Sequence, residues 1–493
     1  MTEHYLDRLA KTINENWDQP ALTDFYLTED GTAQDTSRGN HYTYGEMYAE
    51  ILRLGELFHA LGLQKGDHIA ICGANSAHWA IAYLAIAAYQ GVAVTVLHSQ
   101  SPEDIAHQID FSDAKAFFTD AELWEELKNR SLPQVEHVIS LENWQILRGK
   151  QITNHKLPIT NHQCQFVHGS PDELAMICFS SGTTGVSKGV MLSYRACNHG
   201  VDVSLRMLPD NHQGNYLSLL PYSHISGLFV DVIDQLLKVS HVYIYQSSLY
   251  FENAIEIVNP YMLTTVPFYM ELLFQKRENP FVGTAIQQVN IGGAKISESL
   301  GELLSKSHTN HVLLYAATEG LLFSNTSPRS FYEANVGIAC PGIQIRIASN
   351  SEILVKGENV MLGYYKDPEA TARKIDKDGW LHTGDKGHLD EDGYLYVEGR
   401  LEQDIIVLPN GENIHPEDIE RKINALPEVS ESIVLARDGK LVAIVVADSD
   451  IRRHILRTIN PELPLYSQLY DVEITNTPLQ KTEKQTLKRY LYK

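Results

Sequence analysis

From His68 to His98 the chain runs HIAICG, then SAHWAIAYLAIAAYQ, then VAVTVLH. No other stretch constrains the fold as tightly. The outer pieces are short, apolar along nearly their whole length and rich in β-branched residues, and the middle piece is a long apolar segment of helical length. Strands apolar on both faces need cover on both, which is the condition of a parallel sheet crossed by helices. By length, the apolar tract from Trp79 could also cross a membrane. Gln90 and Gly91 interrupt it before the β-branched VAVTV, so it reads as a buried helix turning into a buried strand.

Similar alternation returns later, where HVYIYQ, MLTTVPF and QVNIGG are strand-like runs separated by helical periods such as FYMELLFQKRE. No fixed-period repeat and no low-complexity segment appears. Near Arg400 the texture becomes dense in Gly, Asp and turns, with EDGY and RDGK as Asp-Gly hairpin signals. The expected division is a large N-terminal domain, residues 1–400, and a small C-terminal one, residues 401–493.

Charge limits the partners. Forty basic against 62 acidic side chains give a formal charge of −22, which repels nucleic acid and anionic lipid. Any anionic ligand must be held by local donors against that field. Five scattered cysteines without CxxC spacing suggest neither a disulfide framework nor a zinc site. The opening MTEHYLDRLAKTINENW is charged and amphipathic, unlike a secretory signal. These features lead to the expectation of a cytoplasmic protein without a transmembrane segment.

One segment concentrates such donors. CFSSGTTGVSKGVML, from Cys178 to Leu192, sets hydroxyls, glycines and Lys188 between apolar flanks. ELAMICF before it reads as a buried strand, and LSYRACNHGVDVSLRML after it reads as the start of a helix with Ser193 as N-cap. A loop so placed offers backbone N–H groups and hydroxyls beside a helix N-terminus, a setting suited to phosphate. Ser187 stands where a P-loop carries glycine, and an ordinary Gly/Ser surface turn has the same composition.

The full form of this segment resembles the phosphate loop of the adenylate-forming superfamily, whose common pattern is SGTTGxPKGV, here with Ser187 for the proline. Other motifs follow in that family's order: LPYSHISGL from Leu220, IGGAKI from Ile291, YAATEG from Tyr315, GWLHTGDKGHLDEDGYLYVEGR ending at Arg400, and NGENIHPEDIE. The resemblance, most of all to its acyl-CoA synthetases, implies an α/β fold: a large N-terminal domain of parallel and mixed sheets covered by helices, and a small, mobile α+β lid.

It also implies roles. Ser180, Ser181, Gly182, Thr183, Thr184, Gly185 and Lys188 would hold the β- and γ-phosphates of ATP. Thr318 would touch the α-phosphate and Glu319 would bind Mg2+, a hard cation suited to stand between a carboxylate and phosphate oxygens. Tyr315 would face adenine, Asp385 would accept from the ribose hydroxyls, Arg400 would bind ribose or phosphate, and His224 would border the acyl pocket. Gly293 and Ala294 would let adenine and acyl group approach the backbone. The family's adenylating lysine falls on Thr486 in PLQKTEKQTLKR, so Lys484 and Lys488, two residues to either side, are both candidates. The hinge falls on Gln403 or Asp404.

The implied activity is ATP-dependent activation of a carboxylic acid and transfer of the acyl group to the thiol of coenzyme A. YSHISGLFVD lacks the aspartate with which amino-acid-activating relatives meet the substrate amine. SEILVKGENVMLGYYKDPEATA and DIIVLPNGENIHPEDIE look most like the branch acting on long- and medium-chain acids, so a fatty acid is the first expectation and an aryl acid stays open. Two alternatives remain: loading a phosphopantetheine carrier protein, and a nucleotide- or acyl-binding homologue that has lost catalysis.

Overall fold

The computed structural model describes residues 3–152, 163–180, 188–208, 214–245, 247, 250–401, 406–407, 413–414, 416–437, 440–463, 467–481 and 487–492. His68–Cys72 and Val92–Thr95 are adjacent parallel strands joined by the helix Ala77–Ala88, as the sequence requires. Ser76 caps that helix by accepting from the Trp79 N–H. The helix is buried along almost its whole length, because it lies between the sheet and an outer layer of helices. Among the described residues no helix is long and apolar enough to cross a membrane.

These strands belong to an eight-stranded sheet. Its order is Gly363–Tyr364, Lys188–Ser193, Leu174–Ser180, Val92–Thr95, His68–Cys72, Ala116–Thr119, His137–Ser140 and Ile146–Arg148. The interior is parallel, and both edges close with antiparallel strands. A second sheet joins Met262–Thr265, Gln288–Ile291 and Asn310–Ala317 in parallel, then turns back antiparallel through Leu321–Asn325. A third places His241–Tyr245 between Asn215–Ser218 and Pro20–Phe25. A fourth, antiparallel, carries Glu352–Gly357, Leu381–Leu389 and Leu395–Arg400.

Beyond Arg400, Glu431–Arg437, Lys440–Val446 and Asp471–Thr475 form a three-stranded sheet. It packs against the helices Pro416–Asn424 and Arg452–Ile459 around a core of its own that includes Ile419, Ile423, Val434 and Ile455. The EDGY signal lies where Leu381–Leu389 returns as Leu395–Arg400; Asp438 and Gly439 of RDGK lie outside the described residues, and their flanks Arg437 and Lys440 pair. All five cysteines are buried and none is in a disulfide. Burial pushes the Cys340 thiol up to about 12.

Candidate functional site

The glycine-hydroxyl segment is a hairpin. Leu174–Ser180 and Lys188–Ser193 pair antiparallel from Leu174 opposite Ser193 to Ser180 opposite Lys188. Ser181, Gly182, Thr183, Thr184 and Gly185 lie outside the described residues. The expected helix does begin at Tyr194, with Ser193 accepting from the Ala196 N–H. It starts at the far end of the second strand, however, and not beside the loop. The reason is local: GVML is extended, apolar and hydrogen-bonded to the preceding strand, so six strand residues separate Lys188 from the helix, about 20 Å of chain. The helix N-terminus that follows this hairpin therefore stands at the far end of the strand that Lys188 opens.

Lys188 opens the second strand, and its Nζ lies 4.9 Å from the centroid of the Tyr364 ring. The Tyr364 hydroxyl donates to Glu319 Oε1 at 2.9 Å. Glu319 sits in the tight turn between Asn310–Ala317 and Leu321–Asn325, where its backbone carbonyl accepts from the Met361 N–H at 2.9 Å. The lysine and the carboxylate come from different sheets, and one aromatic ring brings them together.

Next along the seam, the Tyr315 hydroxyl donates to Asp385 Oδ2 at 2.6 Å, both residues being buried. Thr383 orients the aspartate by accepting from the Asp385 N–H at 3.0 Å while donating to the Ile353 carbonyl. Glu352 braces the same turn from below, accepting from the Gly384 N–H at 3.0 Å. The Arg400 backbone pairs directly opposite Asp385. Phe323 meets the edge of the Tyr315 ring at a centroid distance of 5.3 Å.

A cavity of about 750 Å³ opens from this seam. His224, Gly293 and Thr318 line it; Ala294 does not, and is exposed. Gly293 has φ +81°, a backbone that glycine adopts readily and a side chain would strain. The cavity opens at the carboxyl ends of the parallel strands Met262–Thr265 and Gln288–Ile291, the usual crevice of open α/β sheets. Met207, Phe229, Val230, Tyr269 and Leu322 supply apolar walls, and among the described residues no Asp, Glu, Lys or Arg lines it. Thr318 lines the cavity while its neighbour Glu319 faces Tyr364, so the two regions share a single turn.

The segment that carries His224 is clamped by Asn75, itself a lining residue of the cavity, and by Asp231 behind it. Asn75 donates to the Leu220 carbonyl at 2.8 Å and accepts from the Tyr222 N–H at 2.9 Å. Asp231, fully buried on a π-helical turn Gly227–Ile233, accepts from the Tyr216 hydroxyl at 2.7 Å and from Ser218, Leu219 N–H and Leu220 N–H at 3.1–3.2 Å. Burial pushes its carboxyl up to about 7 even against these four donors.

At the C-terminal end Lys481 bridges to Leu487, and the Lys488 N–H donates to the Gln480 carbonyl at 2.9 Å. Arg489 then anchors the tail by a two-pronged ion pair with buried Glu420. Lys484, Gln403 and Asp404 lie outside the described residues. Sequence reasoning missed Tyr364, Asp231 and Asn75. For Asp231 a signal was present, a lone carboxylate in the apolar run SGLFVDVI. For Tyr364 and Asn75 none was, because their partners are distant in the chain.

The comparisons with known proteins bear on the family and the fold. The model of the family described as AMP-binding enzyme matches residues 9–365. A 4-coumarate–CoA ligase-like protein of Arabidopsis thaliana is 26% identical over 478 residues, 88% of this chain and 83% of the relative. A Rhodococcus jostii ligase that joins a methyl-dioxo-octahydroindenyl propanoyl group to CoA is 27% identical, with 80% of each chain covered. The fold matches that of O-succinylbenzoate coenzyme A synthetase (MenE) from Bacillus subtilis, in complex with ATP and magnesium ion. The TM-score is 0.81 at 23% identity, over 98% of both chains.

Proposed function

The chain belongs to the family of AMP-binding enzymes, and on that footing we propose that it is an AMP-forming acid–CoA ligase with a fatty acid as its substrate. A carboxylate oxygen attacks the α-phosphorus of ATP, the bond to the β-phosphate breaks, and pyrophosphate leaves. The thiol of coenzyme A then attacks the acyl carbon, the bond from acyl carbon to the AMP oxygen breaks, and the thiol proton passes to solvent. The observation that carries this reading is the turn Thr318–Glu319. It joins a seam of polar and charged groups, Lys188, Glu319, Asp385 and Tyr315, to a neutral cavity bordered by His224.

In this reading Lys188 and the loop from Ser180 to Gly185 hold the outer phosphates, and Thr318 touches the inner one. Tyr315 offers its ring to adenine, Asp385 and Arg400 take the ribose side, and Gly293 admits both groups close to the backbone. Phosphoryl transfer needs mainly such positioning and charge neutralisation. Magnesium supplies charge neutralisation on the phosphates. The donor set fits it: Mg2+ keeps several waters and takes one or two protein carboxylates beside phosphate oxygens, and Glu319 supplies one carboxylate here. Residues 401–493 act as the lid that brings Lys484 or Lys488 to the reacting groups, turning at Gln403 or Asp404.

The relatives' names support coenzyme A as the acceptor. The uncharged cavity lining supports an acid whose body carries no second charge. AMP release should be measured for medium- and long-chain fatty acids, cinnamic-type acids and dicarboxylic acids, with and without coenzyme A, alongside Lys484→Ala and Lys488→Ala. The expected result is thioester and AMP with a fatty acid, and a strong loss of adenylation for one lysine variant that still converts supplied acyl-adenylate. AMP release for none of the acids would overturn the activity; turnover of only the cinnamic-type or dicarboxylic acids would overturn the substrate.

A further inference from the structure

Tyr364 has no role in the reading above, yet it touches two of its charged groups. Its ring face lies under the Lys188 ammonium at 4.9 Å, and its hydroxyl donates to Glu319 Oε1 at 2.9 Å. The side chain is 6% exposed, and its backbone is fixed on both sides. Gly363–Tyr364 pairs with the Lys188–Ser193 strand, Tyr364 opposite Val190, and the Leu362 and Tyr365 N–H groups donate to the Met191 and Gly189 carbonyls at 2.8 Å. The Tyr364 N–H donates to Thr371 Oγ1 at 2.9 Å. Gly363, at φ +141°, could not carry a side chain there, since a Cβ would come within 2.6 Å of Thr371 Cγ2.

The same segment holds the Glu319 turn at three further points. Asn359 Nδ2 donates to the Gly320 and Leu322 carbonyls, and the Met361 N–H donates to the Glu319 carbonyl. Glu319 is therefore fixed through its backbone and through one carboxylate oxygen by a single segment, residues 359–364. An ionised carboxylate has acceptor sites on both oxygens, so occupation of Oε1 by the tyrosine leaves Oε2 to a cation. Partners of this kind set the orientation of metal-binding side chains and the affinity for the ion.

We propose that Tyr364 is a positioning residue that aims Glu319 at the divalent cation of the nucleotide complex and holds Lys188 apart from that carboxylate until phosphates take the lysine. The inference rests on the proposed nucleotide site. Before nucleotide binds, the ring carries the ammonium on its face and the carboxylate at its hydroxyl, which keeps the two opposite charges from closing directly on each other. When nucleotide enters, the lysine leaves the ring for phosphate oxygens while Glu319 keeps its aim.

The test is Mn2+ binding, read by electron paramagnetic resonance on the full chain with ATP, together with ATP binding in EDTA by calorimetry. Tyr364→Phe, Tyr364→Leu and Glu319→Gln are compared with the parent protein. Tyr364→Phe keeps the ring and loses the hydroxyl. It should weaken Mn2+ in the ternary complex about 10-fold, as loss of a partner to a metal-binding side chain does, and leave metal-free ATP binding within a factor of about two. Tyr364→Leu should weaken both. Unchanged Mn2+ affinity in Tyr364→Phe, with a loss in Glu319→Gln, would overturn the inference alone. No loss in either variant would overturn the nucleotide site itself. Equal weakening of Mn2+ and metal-free ATP by Tyr364→Phe, or a melting temperature lowered as in an unfolded variant, would assign the tyrosine a structural role and also overturn the inference.

Discussion

The seam and the cavity meet at one turn and are built on opposite principles. Along the seam the ionisable groups Lys188, Glu319 and Asp385 sit at a strand end, in a turn and within a strand, and a tyrosine touches each of them. In the cavity no Asp, Glu, Lys or Arg lines the wall among the described residues, and its apolar side chains are joined by uncharged polar ones such as Asn75, Thr264 and Thr265 and by His98 and His224. On the proposed reading, charge is confined to the part that meets a charged ligand. A chain with a formal charge of −22 can hold a triphosphate only where fixed donors outweigh the overall field. If the acid lies in this cavity, as proposed, a second charge on it would be disfavoured, because burying an unpaired ion costs several kcal/mol.

The sharpest way to break this division is to remove charge from the seam alone. Glu319→Gln keeps the shape and the acceptor for Tyr364. It should lower the rate of acid-dependent pyrophosphate exchange about 100-fold or more, the scale of losing one preorganised electrostatic contact, with the KM for the acid within about two-fold. A comparable change in the acid KM would show that seam and cavity are not separable.

The reverse experiment adds charge to the cavity. Val230 lines the wall from the π-helical turn and is buried. Val230→Lys should lower kcat/KM for a fatty acid by about 10-fold or more, since an unpaired ammonium is costly beside an alkyl chain. It should raise kcat/KM for a dicarboxylic acid of similar length, and the KM for ATP should stay near the parent value. If fatty acid turnover is kept, Val230 does not meet the acyl chain.

The two regions also differ in how much the sequence reveals of them. The seam residues lie in short contiguous motifs, which is why they could be named from the sequence; the structure adds that Tyr315 bonds Asp385 and that Tyr364 stands between Lys188 and Glu319, pairings those motifs do not state. The sheet core was readable from HIAICG and VAVTVLH for a similar reason, since a strand buried on both faces leaves no polar alternation. What escaped was set by contacts between distant segments. Tyr364 reaches Glu319 across 45 residues, and Asn75 reaches Leu220 across 145. The cavity walls gather Met207, Val230, Tyr269 and Leu322 from four separate elements, so neither its volume nor its neutrality could be read in advance. The hairpin was misjudged because a helix cap at Ser193 is a local signal, whereas the strand between it and the loop is decided by pairing with Leu174–Ser180.

Asp231 marks the boundary of the comparison, a carboxyl just behind the neutral wall. It faces the Tyr216 and Ser218 hydroxyls and two backbone N–H groups, with Tyr222 and Asp234 as its titratable neighbours. Burial raises it from 3.8 to about 7. Between those values the folded chain keeps a proton that the unfolded chain has released, so its contribution to stability falls as pH rises from about 4 to about 7 and levels off above. Asp231→Asn cannot titrate and should lose that slope. Its melting temperature relative to the parent should rise across this window by about 5 °C. Parallel profiles for the two proteins would mean that the carboxyl is already ionised in the folded chain at pH 4. The four donors would then outweigh burial, and the wall would conceal a fixed negative charge, which would itself repel a substrate's second carboxylate.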